Sequence, residues 1–273
     1  MDIWNALIIT PFTNVLLLIY NFVGQNFGVA IILFTLLIRL ITHPLTVSQI
    51  KGAQGMQKLQ SDKRFQEMQE KYKNDKEKLA QEQMKLYQEL GINPLSSCLP
   101  MLIQFPIIIG LYQALIKAMA NTPLDLLNLS RIIWPFVDSS SIIPLNNRFL
   151  WMDLSQPERL YIPGLAFGIP VLAVIVAVTT YVQSKLLSPT PNTSNPKDQS
   201  AMMTGMMNIY MPFLMGYMGL TLASGLSVYF IAGNIIGIGQ YALLGKVNWR
   251  NLLPNLKPAA PQQPDSKVKR GKK

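Results

Sequence analysis

Residues 27–46, FGVAIILFTLLIRLITHPLT, form an apolar run of span length interrupted by one arginine, Arg39. Crossing a bilayer takes about 20 such residues. An arginine inside a span costs about 2.5–3.5 kcal/mol on insertion scales and faces a partner or a watery cavity. Arg39 lies about 10 Å from the end of this run at Thr46, at about 1.5 Å per residue. Two readings therefore stay open. The side chain snorkels along its stem to the headgroups, or it sits in a hydrated pocket that awaits an anionic partner.

Composition places the rest of the chain in the same environment. Of 273 residues 49% are hydrophobic and 14% charged, against about 25% charged in soluble domains. The apolar residues gather into five runs, which predict an all-α, polytopic membrane helix bundle with spans at 25–46, 95–119, 161–185, 203–223 and 225–246. No alternating ten-residue strands of a membrane barrel occur. None of the five runs contains Asp or Glu, so the chain itself offers Arg39 no carboxylate within the bilayer. Lysine and arginine concentrate at 51–85, at Lys185 and Lys197, and from Lys246 onward; Arg131, Arg148 and Arg159 lie on the other side. The basic side faces the cytoplasm, which predicts N-out, C-in. The single cysteine, Cys98, excludes an intramolecular disulfide framework. The N-terminus shows no basic region or cleavage site of a signal peptide.

Residues 1–24 are apolar but carry Asn5, Pro11 and Asn14; they read as an interfacial amphipathic helix starting near Thr10–Pro11, with Trp4 and Tyr20 at headgroup level. Residues 47–94 change to Gln, Lys and Glu, with a sparse apolar seam of Met56, Leu59, Phe65, Met68, Tyr72, Leu79, Leu86 and Leu90. This predicts a cytoplasmic helical hairpin that turns at Lys73–Asp75, with Asp75 capping its second helix and Glu67–Lys71 as an i,i+4 pair. Its near-balanced charge argues against a nucleic-acid stripe. Residues 120–160 are an extracytoplasmic loop with an interfacial segment around Trp134 and Trp151, and 186–202 a cytoplasmic loop. Residues 202–223 hold half of the 14 methionines, which serve either as gap-fillers in a bundle or as an adaptable greasy surface. The tail 247–273 is basic, proline-rich and expected to be disordered. It suits an anionic surface or ribosomal RNA, and a solubilising role fits equally.

The order LLIRLITHPLT, LYQELGINPLSSCLPMLIQFPIIIGLY, QSKLLSPTP, MNIYMPF and SGLSVYFIAGN resembles the YidC family of membrane protein insertases, from about Pro11 to Gly245. The resemblance implies a groove open to cytoplasm and lipid and closed outside, with Arg39 in its wall. Thr35 matches a groove position implicated in substrate contact, and the other expected groove residues are Gln104, Gln183, Tyr229, Phe230 and Asn234. Where the family commonly has Tyr or Trp, this chain has Phe230. Met203, Met207, Met211 and Met215 match an apolar slide along which a nascent span leaves for lipid. The implied partners are nascent membrane proteins and the bilayer, with the ribosome through the basic tail and a Sec translocon as further candidates, and no DNA. The implied location is the bacterial inner membrane.

No cofactor is expected. The chain lacks a GxxxxGK[ST] loop, so nucleotide hydrolysis is not expected. A secondary transporter would usually carry coupling carboxylates near the midplane, and none is present. An intramembrane protease needs a nucleophile and base, yet the only histidine, His43, sits beside Pro44.

Overall fold

The computed structural model describes residues 3–48, 50, 55, 62–72, 75–89, 99–119, 122–135, 145–161, 168–187, 199–245, 247 and 249. The seam residues Met56, Leu59 and Leu90, Cys98, the hairpin turn at 73–74 and the basic tail beyond 249 lie outside these residues. A π-helical turn (Asn5–Ile9) leads into α1 (Thr10–Phe22), followed by α2 (Phe27–Ile41), α3 (Lys63–Lys71), α4 (Lys76–Glu89), α5 (Leu99–Met119) and α6 (Pro123–Ile132). A two-stranded hairpin, β1 (Arg148–Phe149) and β2 (Met152–Asp153), precedes α7 (Val171–Leu187), α8 (Gln199–Thr221) and α9 (Ser224–Leu243). The fold is thus helical, as the sequence implies, with one small antiparallel addition.

Prolines and caps set the boundaries. Pro11 cannot donate a hydrogen bond and crowds the preceding turn. The chain meets this with a wider turn, in which Thr10 N–H bonds Asn5 O. The first helix consequently runs unbroken from Asn5, and Thr10 is not its cap. Gly24 (φ +70°) reverses the chain after α1, and Asn26 then caps α2 by accepting from Val29 N–H at 3.1 Å. Helix α2 stops at Ile41, short of Pro44, and a separate helical segment follows over 43–48. The third span departs most from expectation. Its helix starts at Val171, because Pro170 holds Ile169 extended, and Ile169 pairs with Leu160 in a β-bridge.

In the bundle α9 packs on α7 and α2, α8 on α7, and α1 on α2 and α5. Leu16, Leu17, Tyr20, Phe27, Phe34, Leu111, Leu115 and Leu226 form its core. Gly216 and Gly219 let α8 approach α7 at Ala173 and Ala177. One end of the bundle, here the loop end, gathers the starts of α2, α7 and α9 around residues 145–161. At the other, the hairpin end, α2, α7 and α9 terminate.

Every polar anchor of the N-terminal helix is at the loop end. Trp4 Nε1 donates to Gln113 Oε1 (2.9 Å), Lys117 Nζ to Asn5 Oδ1 (2.7 Å) and the Asn146 amide to Tyr20 Oη (2.9 Å). The buried Asn14 accepts from Trp134 N–H and donates to Ile132 O, both beyond α5. By length and composition Asn5–Phe22 and Ser224–Leu243 suffice to cross a membrane, while Phe27–Ile41 and Val171–Leu187 are shorter apolar helices. Exposed faces are apolar throughout: Ile32, Leu36 and Leu40 on α2, Phe105 and Ile109 on α5, Val174 and Val178 on α7, and Ile235 on α9. Lipid is the solvent such faces require.

In the hairpin, Asp62 and Asp75 cap α3 and α4 by accepting from Arg64 N–H (2.9 Å) and Lys78 N–H (3.1 Å). Phe65 is buried. Lys71 lies over the Tyr72 ring at 5.4 Å, and the ion pairs among the described residues are Lys78–Asp75 and Lys85–Glu82, not Glu67–Lys71.

Candidate functional site

Arg39 stands in the last turn of α2, and α9 is shaped to receive it. Gly233 and Gly237 occupy one face of α9, four residues apart. A Cβ on Gly233 would lie 3.3 Å from Arg39 Nη2, and one on Gly237 would strike the Gln183 amide with Arg39 Nη1 3.8 Å away. The guanidinium therefore rests in a slot against two glycines, where a side chain on Gly233 would crowd it and one on Gly237 would displace Gln183. One turn further along α9, Gln240 Nε2 donates to the Arg39 carbonyl at 3.0 Å. That carbonyl is one of those a helix end leaves without an intrahelical partner, so α9 caps the end of α2 through a side chain.

Beside the slot is a cavity of about 160 Å³ lined by Arg39, Thr42, Thr46, Gln104, Gln183, Tyr229 and Tyr241, with Ile38, Leu45, Ile107 and Leu187 completing the wall. Its lining is about half polar, and it has room for several waters, each occupying about 30 Å³ of liquid. Among the described residues no carboxylate lies within ion-pairing distance of Arg39, and α2, α5, α7, α8 and α9 contain no acid. The half-buried cation thus has amides, hydroxyls and a cavity large enough for water as its neighbours. An anion entering this cavity would gain a charge-assisted contact without displacing an existing ion pair.

The structure brings Arg39, Gln104, Gln183 and Tyr229 together here, and Gln104 Nε2 donates to Tyr229 Oη at 2.9 Å. Thr35 is fully buried one turn from Arg39, where its hydroxyl donates to Ile31 O and its methyl faces Gly233. Asn234 turns the other way and donates to Thr179 and Thr180 of α7 at 3.0 and 2.9 Å, tying two helices. Phe230 packs against Tyr229 with ring centroids 5.8 Å apart and does not line the cavity.

On α8, Met215 packs against the core and Met211 is half-buried; the side chains of Met203 and Met207 lie outside the described residues. The exposed face of α8 is instead Ile209, Tyr210, Phe213, Tyr217 and Leu220. Methionine's adaptability here fills the bundle side, where Gly216 and Gly219 draw α8 onto α7.

A family model described as 60Kd inner membrane protein matches residues 18–250. The chain belongs to the 60Kd inner membrane protein family. Membrane protein insertase YidC of Oceanobacillus iheyensis is 30% identical over 248 residues, which cover 89% of this chain and 84% of that one. Membrane protein insertase YidC 2 of Listeria innocua is 35% identical over 245 residues, 88% of this chain and 71% of the relative. Membrane protein insertase MisCA of Bacillus subtilis is 31% identical over 245 residues, 88% and 78% of the two chains. The matched region of this 60Kd inner membrane protein family member contains all the cavity residues.

Tyr241, Thr42, Thr46 and Gln240 also belong to the site, and polarity alone did not single them out. The available signal was the spacing of Gly233, Gly237 and Gln240, small, small and amide on one helical face. A second cavity, about 320 Å³, opens between α3 and α4 and is lined by Arg64, Glu67, Lys71, Glu82, Lys85 and Glu89 with Met68, Tyr72 and Leu86. There the Glu82 hydrogen bond and charge raise the Lys85 pKa, and burial raises that of Tyr87.

Proposed function

We propose that this chain is a membrane protein insertase that receives incoming spans at the Arg39 cavity and releases them sideways into lipid. The relatives are named membrane protein insertases, and insertion is not an enzymatic reaction; family and relatives support a bacterial membrane location. One observation carries the reading: a half-buried guanidinium, without a carboxylate partner among the described residues, facing a polar cavity inside an apolar bundle. The missing counter-charge is an Asp or Glu in the client's short N-terminal tail. Arg39 draws that tail part-way into the bilayer, and its apolar span follows along α5 and the exposed face of α8.

In this reading the hairpin end faces the cytoplasm, where most lysines and arginines lie, and the loop end faces outward. The first helix lies in the outer interface with its ends held at that level. The membrane potential then favours outward transfer of a negative tail by about 2.3 kcal/mol per charge per 100 mV. Helix α2 spans only about 22 Å at about 1.5 Å per residue, less than the ~30 Å hydrocarbon layer, so the bilayer thins around it and the tail's path shortens. Nascent membrane proteins and lipid are the partners; the basic tail is assigned to the ribosome, and a Sec translocon would dock laterally.

The test is insertion into liposomes of a single-span client with acidic or neutral tail. Arg39→Ala should fold normally, because it strands no carboxylate, yet insert the acidic client poorly. Arg39→Lys should retain much of the activity. Wild-type insertion of the acidic client by Arg39→Ala would overturn the reading.

A further inference from the structure

We propose that the β1–β2 turn, Leu150–Trp151, is a membrane anchor that inserts into the interface of the leaflet at the loop end. Pairing of Arg148 with Asp153 and Phe149 with Met152 leaves these two residues as the whole turn. Only the first has positive φ, Leu150 at +55°, a position that glycine ordinarily takes in such hairpins. A large apolar side chain is here held in a conformation it disfavours and is 74% exposed; Trp151 is 51% exposed. In water neither choice has a benefit. In an interface both do, since leucine gains burial and tryptophan is at home at headgroup depth.

Two contacts fix the level of the turn. The Phe149 ring lies directly on Gly28, the second residue of α2, so closely that no Cβ would fit. Behind the turn, Ser224 Oγ donates to Asp153 O at 2.7 Å. The hairpin therefore sits at the first turns of α2 and α9, the depth at which apolar helix faces give way to loops. Orientation is fixed as well. Trp151 Nε1 donates at 3.0 Å to Glu158, a carboxylate only 6% exposed whose other oxygen accepts from Leu172 N–H at 3.0 Å. The one polar atom of the indole is thus turned inward and its hydrocarbon edge outward. Exposed Phe22, Leu124 and Tyr161 lie at the same end, so the turn continues an apolar rim rather than standing alone. Lipid is the occupant that this level and continuity select.

The experiment places an environment-sensitive nitrobenzoxadiazole label at Leu150→Cys in a Cys98→Ser background, in vesicles of phosphatidylethanolamine and phosphatidylglycerol. Gln156→Cys, exposed in the following loop, is the aqueous control. The label at 150 should emit to the blue of the control, be quenched several-fold more by shallow nitroxide lipids than by deep ones, and resist iodide. In a second arm, Leu150→Gly relieves the backbone and should fold at least as well, while brominated-lipid quenching that depends on Trp151 falls. Iodide access at 150 equal to that at 156 would put the turn in water and overturn the proposal. Shielding from both iodide and nitroxide lipid would mean a protein, or a second copy of the chain, covers it, and would overturn it equally.

Discussion

The two ends of the bundle solve the same problem, helix termini with unsatisfied backbone groups, in opposite ways. At the loop end the backbone answer is local, although the side-chain atoms Asn147 Oδ1 and Ser227 Oγ there are buried without a partner. Ser224 N–H bonds Gln156 O at 2.8 Å, Gly225 N–H bonds Leu154 O at 3.1 Å, and Glu158 receives the Leu172 amide. Loop 145–161 thereby closes over the starts of α7 and α9. At the hairpin end the carbonyl of Arg39 is met by two side chains, Gln240 Nε2 at 3.0 Å and Thr42 Oγ1 at 3.5 Å, and Gln240 Oε1 is buried without a partner. Beside it the guanidinium faces a cavity with room for water. A buried unmet polar atom costs about 1–3 kcal/mol, and both ends carry that cost, at Asn147 and Ser227 on one side and at Gln240 on the other. What separates the ends is charge and access: one sets a cation beside a cavity and the other is covered by a loop, the asymmetry that a one-sided entry route needs.

The largest effect should come from breaking the seal. Glu158→Ala strands the Trp151 indole N–H and the Leu172 amide and removes a negative charge from the start of α7. Hydrogen bonds to charged groups contribute about 1.5–3 kcal/mol each, so a loss of about 3 kcal/mol in thermal or denaturant unfolding is expected. Glu158→Gln keeps an acceptor and should lose less. Preference for acidic over neutral clients should be unchanged in both, because the Arg39 cavity is at the other end. A change in that preference would show that the two ends are not separable.

Next in size is an internal counter-charge at the open end. Gln240→Glu places a carboxylate one turn from the guanidinium slot, where it competes with the client's acid. Insertion of acidic-tail clients should drop about tenfold, equivalent to about 1.4 kcal/mol, with neutral clients little affected. In an Arg39→Gln background the same substitution should make no further difference. An equal drop in both backgrounds would reduce Gln240 to a structural tie.

Part of this was legible in the sequence, for reasons that differ residue by residue. Arg39, Gln104 and Gln183 stand out because polar groups in apolar runs are costly and therefore meaningful. Asp75 declares its cap through local spacing. The slot does not declare itself, because Gly233 matters only for what lies against it, and Gln240 meets Arg39 across 201 residues of chain. Hydropathy continues through Pro170, whereas helix α7 starts only at Val171. On α8, Met211–Met215 and Tyr210–Phe213–Tyr217 are both apolar series at helical spacing. Only the neighbour, α7, decides which one faces lipid.

That choice of face yields a smaller prediction. Met215→Leu conserves volume in the core and should cost less than about 1.5 kcal/mol. Photocrosslinkers at Phe213 and Tyr217 should capture an inserting client, and those at Met215 should not. Capture at Met215 alone would restore the methionine face as the client path and would mean that α8 rotates or separates from α7 during insertion.

The smallest effect should separate the hairpin from both ends of the bundle. Its seam is thin and its ion pairs are exposed, so each contributes little, but burial raises the Tyr87 pKa above its ordinary 10.0. A group whose pKa is higher folded than unfolded binds protons more readily in the folded state. Its contribution is complete below pH about 10 and is lost as pH rises through the folded value. Lys85, raised by Glu82 from 10.5, acts in the same direction, weakly, because it is fully exposed. The α3–α4 hairpin should therefore loosen above pH about 10 while α9, whose packing involves neither group, stays intact. Absorbance at the phenolate band, compared between wild type and Tyr87→Phe, would give the Tyr87 midpoint, and a spin-label pair across α3 and α4 would report the loosening. Tyr87→Phe should remove most of the alkaline change in that distance. If the hairpin opens equally in both proteins, the seam at Phe65 and Met68 is the weak point and the tyrosine is a bystander.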